Sequence, residues 1–243
     1  NKKVTWQEVN DNTKVENGLF QTVIQAVGRI PNINSLNLSH IGLNINSSTL
    51  KIPVKIFQTN ISNIYALGDI IELKYPNNYF LELSPVAIKS GKVLAQSLYG
   101  KIRKNINFSL IPTTIFSPIQ YSLIGLNQQQ AEDKYGKKEI SIYHNFFPTL
   151  EDKLIDNHNS NKSKDHLNYF RIICLKKLKK IIGIHLFCPN SSEIIQGFSL
   201  AMSKGINFND IRNGIGIHPS LGEEIFSGGV NIKTNPNPII SSC

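Results

Sequence analysis

Apolar and polar positions alternate with a period of two over residues 3–9 and again over 20–28. That pattern predicts two strands, joined by the polar turn "NDNTKVENG". A connection dense in Asn, Pro and Gly follows, "GRIPNINSLNLSHIGLNIN". Ile64 to Leu67 then form a short apolar run that predicts a buried strand, stopped by Gly68-Asp69. The period next becomes helical: Ala87, Gly91, Leu94 and Leu98 share one face, with Ser84 placed to cap, Pro85 at the first helical position and Gly100 just past the end. Small Gly91 and Ala95 leave this helix able to approach a sheet or a ligand closely.

From about residue 108 strands and helices mix in antiparallel fashion. The pattern predicts strands in "SLIPTTIFS", "EISIYHNFF", "YFRIICL" and "IIGIHLF", and a helix from Asn127 to its Gly136 stop. A second helix spans "NSSEIIQGFSLAMSKG", with Asn190 and Glu193 at capping-box spacing and Gly205 as its stop. A short helix near "NFNDIRNG" leads into "GIGIHPSLGEEIF", whose alternation predicts a buried strand entering a short helix. The tail "GGVNIKTNPNPIISSC" has no periodicity and is expected to be extended and mobile.

The chain has 243 residues and a hydrophobic fraction of 40%, enough for one large domain or two modest ones. No apolar run approaches a membrane span, and the opening "NKKVTWQEVN" lacks the layout of a signal peptide. Without an initiator Met, the sequence is expected to be a piece that starts inside a domain. The net charge of +9 is scattered, and its one dense cluster, Leu175 to Lys180, is a hairpin tip between two strands. Neither nucleic acid nor a membrane is therefore expected as a partner. Three cysteines with no CxxC and no metal spacing point to a reducing compartment and free thiols.

Four features carry candidate chemistry, each beside a plainer reading. Asp69 is a carboxylate that could bind sugar-type hydroxyls, or an ordinary turn residue. The start of the helix at Ser84 offers free N–H groups and a positive dipole end, or simple capping. His218 with Glu223 is an acid–base pair in which the carboxylate would fix the imidazole tautomer, stiffened by Pro219, or a satisfied boundary histidine. Cys243 is a thiol on an arm of 15 residues counted from Gly229, spanning up to about 50 Å when extended, or a stray terminal cysteine.

In their order, "VIQAVGRIPN", "TNISNIYALGDI", "LELSPVAIKSGKVLAQSLYG", "PTTIFSP", "SLIGLNQQQA", "GIHLFCPNSSEIIQGFSLAMSKG" and "GIGIHPSLGEEIF" resemble the carboxyl-terminal half of the glutathione reductase family. Those proteins are flavoprotein pyridine nucleotide-disulfide oxidoreductases. Within the family the likeness leans toward the animal-type thioredoxin and thioredoxin–glutathione reductases. The resemblance implies an α/β plus α+β fold: the end of an NADPH-binding domain at 1–29, the second segment of an FAD-binding domain at 30–107, an antiparallel-sheet dimerisation domain with helices at 108–229, and a flexible redox arm at 230–243. It implies Gly68 and Asp69 on FAD, and Glu82, Leu83 and Ser84 near the flavin ring and nicotinamide. Val27, Gly28, Arg29 and Thr114 would lie along the NADPH path. His218, with Pro219 beside it and Glu223 orienting it, would serve the partner subunit's flavin site in a homodimer. Cys243 would pass electrons to thioredoxin or glutathione disulfide, with a selenocysteine directly after it. A cytoplasmic enzyme is expected, with the mitochondrion as the alternative compartment. The rival readings are a glutathione reductase without an arm and a non-catalytic dimerisation fragment.

The departures from the family pattern are equally specific. The loops "IIELKYPNNYFLELSP" and "DNHNSNKSKDHLN" are longer than expected, and Cys188 stands where glycine is usual. The GxGxxG and CxxxxC motifs of the family are absent from these residues, so the fragment alone is expected to be inactive.

Overall fold

β1 (Lys2–Glu8) and β2 (Asp11–Phe20) form an antiparallel ribbon running from Lys2↔Phe20 to Gln7↔Val15. The structure, a computed structural model, describes residues 1–8, 11–73, 82–100, 106–149 and 168–238. Half of the first expanded loop, all but Asn168 of the second, and Cys243 lie outside the described residues. The chain divides into two units, Asn1–Lys104 and Asn105–Cys243.

In the first unit most of the predicted polar turn is strand, and the predicted second strand over 20–28 ends at Phe20. Both faces of the ribbon are largely exposed, Val15 and Leu19 included. With neither face buried, polarity at residues 11–18 carried no information against a strand. The run Ile64 to Leu67 holds only an isolated bridge, Gln58↔Tyr65. Gly68–Ile70 is a single 3-10 turn, and the regular strand comes after it: β4 (Ile71–Leu73), parallel to β3 (Ile52–Val54). Gly68-Asp69 thus precedes this strand instead of ending one.

Helix α1 (Ser84–Tyr99) has the predicted length and ends at Gly100. Its cap differs. Leu83 holds the capping position, and its carbonyl accepts from the N–H groups of Val86 and Ala87, while no side chain caps the helix. Ser84 is already helical, followed by Pro85, which has no N–H to satisfy. A Cβ placed on Gly91 would meet nothing within 4 Å, so that side of the helix is open in this unit.

The second unit is built on a six-stranded antiparallel sheet. Its members are β5 (Thr113–Ile115), β6 (Tyr121–Gly125), β7 (Ile140–Phe147), β8 (Asn168–Leu175), β9 (Ile181–Phe187) and β10 (Val230–Asn231), in the order β10-β7-β8-β9-β6-β5. One face carries Ile124, Phe147, Phe170, Ile172, Ile184 and Leu186, packed against α3 (Ser191–Ser203), α4 (Phe208–Arg212) and α5 (Glu223–Phe226). Each such fully buried side chain contributes about 1.5–3 kcal/mol. The other face holds a smaller cluster, Ile140, Ile142, Ile173 and Ile182, against Ala131 of α2 (Gln128–Tyr135).

Two helix starts follow the sequence rules and one does not. Asn127 with Gln130, and Asn207 with Asp210, form complete capping boxes. The box expected at Asn190 and Glu193 is absent, because Asn190 adopts a left-handed backbone (φ 56) and its side chain makes no cap bond. The predicted strand "SLIPTTIFS" shortens to β5, preceded by a 3-10 turn at Phe108–Leu110. The tail differs from expectation at both ends of its described part: β10 pairs with β7 and Pro238 is fully buried, while Lys233 to Asn237 between them are exposed.

The buried titratable groups set a pH window for this unit. Burial pushes the Cys174 and Cys188 thiols up to about 12, against 9.0 ordinarily. Burial pulls His185 below its ordinary 6.5, with the Arg171 charge adding to the effect and the Leu126 carbonyl opposing it. The unfolded chain loses thiol protons near pH 9 while the folded unit keeps them, so stability falls as pH rises above 9, by about 1.4 kcal/mol per pH unit per thiol. The His185 contribution is present above pH 6.5 and is lost as pH falls through its depressed folded value. Urea midpoints are therefore expected to form a plateau between pH 6.5 and 9 and to decline on both sides. A midpoint still rising at pH 10 would contradict this.

Candidate functional site

The segment Gly214–Glu223 brings together the pair singled out in the sequence. Residues 214–220 are irregular, where a strand was expected, and the two isoleucines point outward: Ile215 is 95% and Ile217 80% exposed. The period of two is real, but glycine occupies the inward positions. A Cβ on Gly216 would lie 2.4 Å from the Cβ of Glu223 and 2.7 Å from its Cα, and one on Gly214 would lie 2.4 Å from the Phe226 ring. Only bare backbone lets α5 close onto this segment.

That closure places Glu223 under His218. The imidazole Nδ1–H donates to both carboxylate oxygens, at 3.2 Å each, across the cis His218-Pro219 peptide. Glu223 Oε1 also accepts from the Ser220 N–H at 3.0 Å, and the Glu223 N–H donates to Ser220 Oγ at 3.3 Å. The carboxylate is thereby fixed from two sides, with a side chain 16% exposed beside an imidazole 62% exposed. Ser220 is a member the sequence reading missed, although Ser-x-x-Glu spacing was its signal. With Nδ1 committed, proton exchange falls to Nε2 of a solvent-reaching ring. Glu224 turns inward and is buried.

The other candidate residues fall into separate places. Gly68 (φ 77) sets its turn against Ala87 of α1, and Asp69 is exposed on that turn. Glu82, just ahead of α1, accepts from the ammonium of buried Lys51 at 2.6 Å, an ion pair for which the sequence offered no spacing signal. Val27, Gly28 and Arg29 lie on an exposed irregular segment after β2. Thr114 shares a hydrogen bond with Ser122 (2.8 Å), which in turn bonds Ser191 (2.7 Å); its hydroxyl belongs to a ladder that ties β5 and β6 to α3. Cys174 and Cys188 are buried free thiols held protonated at neutral pH, which removes them from thiol exchange. Among the described residues no His, Cys, Asp or Glu cluster could hold a metal ion. No helix among them is long and apolar enough to cross a membrane.

An antiparallel sheet with helices on one face, and a histidine held by the first carboxylate of α5, make up the arrangement that the sequence resemblance led us to expect of a disulfide reductase's dimerisation domain. Comparison with known proteins agrees. Residues 111–227 match the family model of the pyridine nucleotide-disulphide oxidoreductase dimerisation domain. A thioredoxin reductase of Emiliania huxleyi is 35% identical over 226 residues, covering 92% of this chain and 44% of that protein. Among solved structures, the HOCl-induced flavoprotein disulfide reductase RclA from Escherichia coli matches with a TM-score of 0.64 at 21% identity, over 83% of this chain and 44% of RclA. LpdA from Mycobacterium tuberculosis matches with a TM-score of 0.68 at 20% identity, over 88% of this chain and 43% of LpdA. Residues 111–227 are a dimerisation domain of the pyridine nucleotide-disulphide oxidoreductase type, and the chain spans less than half the length of these relatives.

Proposed function

We propose that this chain is the carboxyl-terminal half of an NADPH-dependent, FAD-containing disulfide reductase of the thioredoxin reductase type, active as a homodimer. The observation that carries the reading is the His218–Glu223 pair, built by Gly216 and Ser220 on a segment whose isoleucines are exposed. The relative that is 35% identical is itself a thioredoxin reductase, which favours thioredoxin as substrate, with glutathione disulfide as a second one. A second copy of the chain is the surface that covers Ile215 and Ile217 and brings His218 to the partner's redox centre. The domain limits remain 1–29, 30–107, 108–229 and 230–243 in this reading, and the compartment is the cytoplasm or the mitochondrion.

The first unit fits part of a flavin dinucleotide. Asp69 is an exposed acceptor for ribityl or ribose hydroxyls, and Gly68 keeps its turn close to α1. The N-terminus of α1, behind Leu83 and Ser84, suits an electron-rich ring edge, and Lys51 holds Glu82 beside it. Arg29, with Val27 and Gly28, offers a cation for the nicotinamide nucleotide's phosphate. Thr114 contributes through the strand that it stabilises. FAD, when bound, relays electrons from the nicotinamide to a disulfide.

The chain's own share of the chemistry is proton movement. A thiolate attacks a disulfide, one S–S bond forms and another breaks, and the departing sulfur takes its proton from His218 Nε2. In the reverse sense neutral His218 accepts the proton of the attacking thiol, while Glu223 holds the ring and balances its positive charge. Cys243, with a selenocysteine after it, is the carrier to the protein substrate.

Deleting residues 239–243 from the full-length protein tests this choice. Thioredoxin reduction is expected to fall by about 100-fold or more, as removal of a covalent relay requires. Unchanged thioredoxin reduction would favour the armless glutathione reductase reading. Loss of all disulfide reduction by the intact full-length protein would favour a non-catalytic dimerisation fragment.

A further inference from the structure

Lys51 is buried, with only 5% of its surface exposed. An ammonium in that position is costly unless it is paired and hydrogen-bonded. A turn built on Asn46 puts it there. Asn46 Oδ1 accepts from the N–H groups of Ser48 and Thr49, at 2.8 and 3.2 Å, and the Asn46 N–H donates to the Lys51 carbonyl at 2.9 Å. Leu50 closes the turn in a left-handed backbone (φ 57). Outside the turn, Asn46 Nδ2 donates to both carboxylate oxygens of Glu72, at 2.9 Å each. Glu72 belongs to β4, the strand that follows the Gly68–Ile70 turn.

From this fastened turn the Lys51 ammonium donates to Glu82 Oε1 at 2.6 Å. The two side chains are 7% and 38% exposed, so the lysine end is enclosed while the carboxylate end reaches water. Glu82 stands two residues ahead of Ser84, where α1 begins. A bare carboxylate there would oppose the positive end of the helix, and a paired one does not. The Gly68 turn also lies against α1, since a Cβ on Gly68 would be 3.3 Å from the Ala87 Cβ. The Asp69 turn and the start of α1 are therefore joined twice, by that packing and by the chain Glu72–Asn46–Lys51–Glu82.

We propose that Lys51 is a positioning residue for the flavin: it fixes and neutralises Glu82, so that a ring at the start of α1 meets the positive end of the helix and not a carboxylate. The inference rests on the reading of residues 82–84 as the flavin edge. A reduced flavin holds two electrons more than an oxidised one, so a charge beside it shifts the equilibrium between the two forms. That shift exists before any disulfide takes part.

Redox titration of the full-length protein against a reference dye reads this equilibrium. Lys51→Met bares Glu82 and should lower the ratio of reduced to oxidised flavin at a fixed potential by about tenfold, or about 30 mV for a two-electron couple. Glu82→Gln bares the ammonium instead and should raise the ratio. Removing both charges, with Lys51→Met and Glu82→Gln together, should return it to within about threefold of the unaltered protein, as should Lys51→Arg, which keeps the pair. Shifts of opposite sign in the two single variants are an outcome that a merely structural role does not produce. If Lys51→Met does not fold, Glu82→Gln and Lys51→Arg carry the test. An unchanged ratio in either single variant that folds, or a shift of one sign in both, would overturn the proposal. A folded full-length protein that takes up no FAD would instead overturn the flavin reading beneath it.

Discussion

His218→Ala in the full-length enzyme is expected to lower disulfide turnover by about 10²- to 10⁴-fold, the range a positioned general acid–base contributes. The loss should fall on kcat, and reduction of the flavin by NADPH, which needs no thiol proton, should be unaffected. The geometry sets the order of effects within the site. Glu223→Gln keeps an acceptor for Nδ1–H but removes the charge facing the imidazolium, so a smaller fall, about tenfold, is expected. Ser220→Ala leaves the Ser220 N–H on Glu223 Oε1 and removes only the reciprocal bond, so it should change turnover least. Stopped-flow separation of flavin reduction from disulfide turnover checks all three. Equal loss in both steps for His218→Ala would point to a folding defect.

Gly216→Val is expected to damage the site without touching any reacting group. Even the first added carbon would stand 2.4 Å from the Glu223 Cβ, a contact that neither backbone can absorb without moving α5 away. Overpacking of this kind costs about 1–3 kcal/mol and would carry Glu223 out of reach of His218. A fall in turnover approaching that of His218→Ala, with the second unit's urea midpoint lowered, is the expected outcome. By contrast Ile217→Ser changes a side chain that is 80% exposed in the single chain. It should leave the fold of one chain intact and show itself as weaker dimerisation in sedimentation equilibrium.

The second unit was the more legible in sequence because its strands and helices bury one face each. "EISIYHNFF", "YFRIICL" and "IIGIHLF" became β7, β8 and β9 with bounds within a residue or so. In the first ribbon β1 was read correctly and only β2 was misplaced: the ribbon buries neither face, so its hydrophobic pattern contained no register. "GIGI" was misread for the opposite reason: its apolar residues alternate correctly but face out, and close packing against α5 selected glycine for the inward positions. Of the pair itself, His218 and Glu223 could be read from their spacing, whereas the roles of Gly216 and Ser220 became visible only when α5 was seen folded back. The tail carried no periodicity because isolated hydrogen bonds from His144 and Phe146 hold it, not an apolar face. Long-range polar contacts of this kind, like Lys51 with Glu82, leave no local signature in a sequence.

The central claim is that His218 and Glu223 of one chain complete the redox centre of another. Mixed dimers test it most directly. One subunit carries His218→Ala, and the other carries an intact His218 but a disabled flavin-side dithiol. Each homodimer is expected to fall at least about 10²-fold below the unaltered dimer. If the site is shared across the interface, the mixed dimer contains one complete centre and should recover about half the turnover of the unaltered dimer. A mixed dimer as inactive as its parents would contradict the account and place His218 in the service of its own subunit.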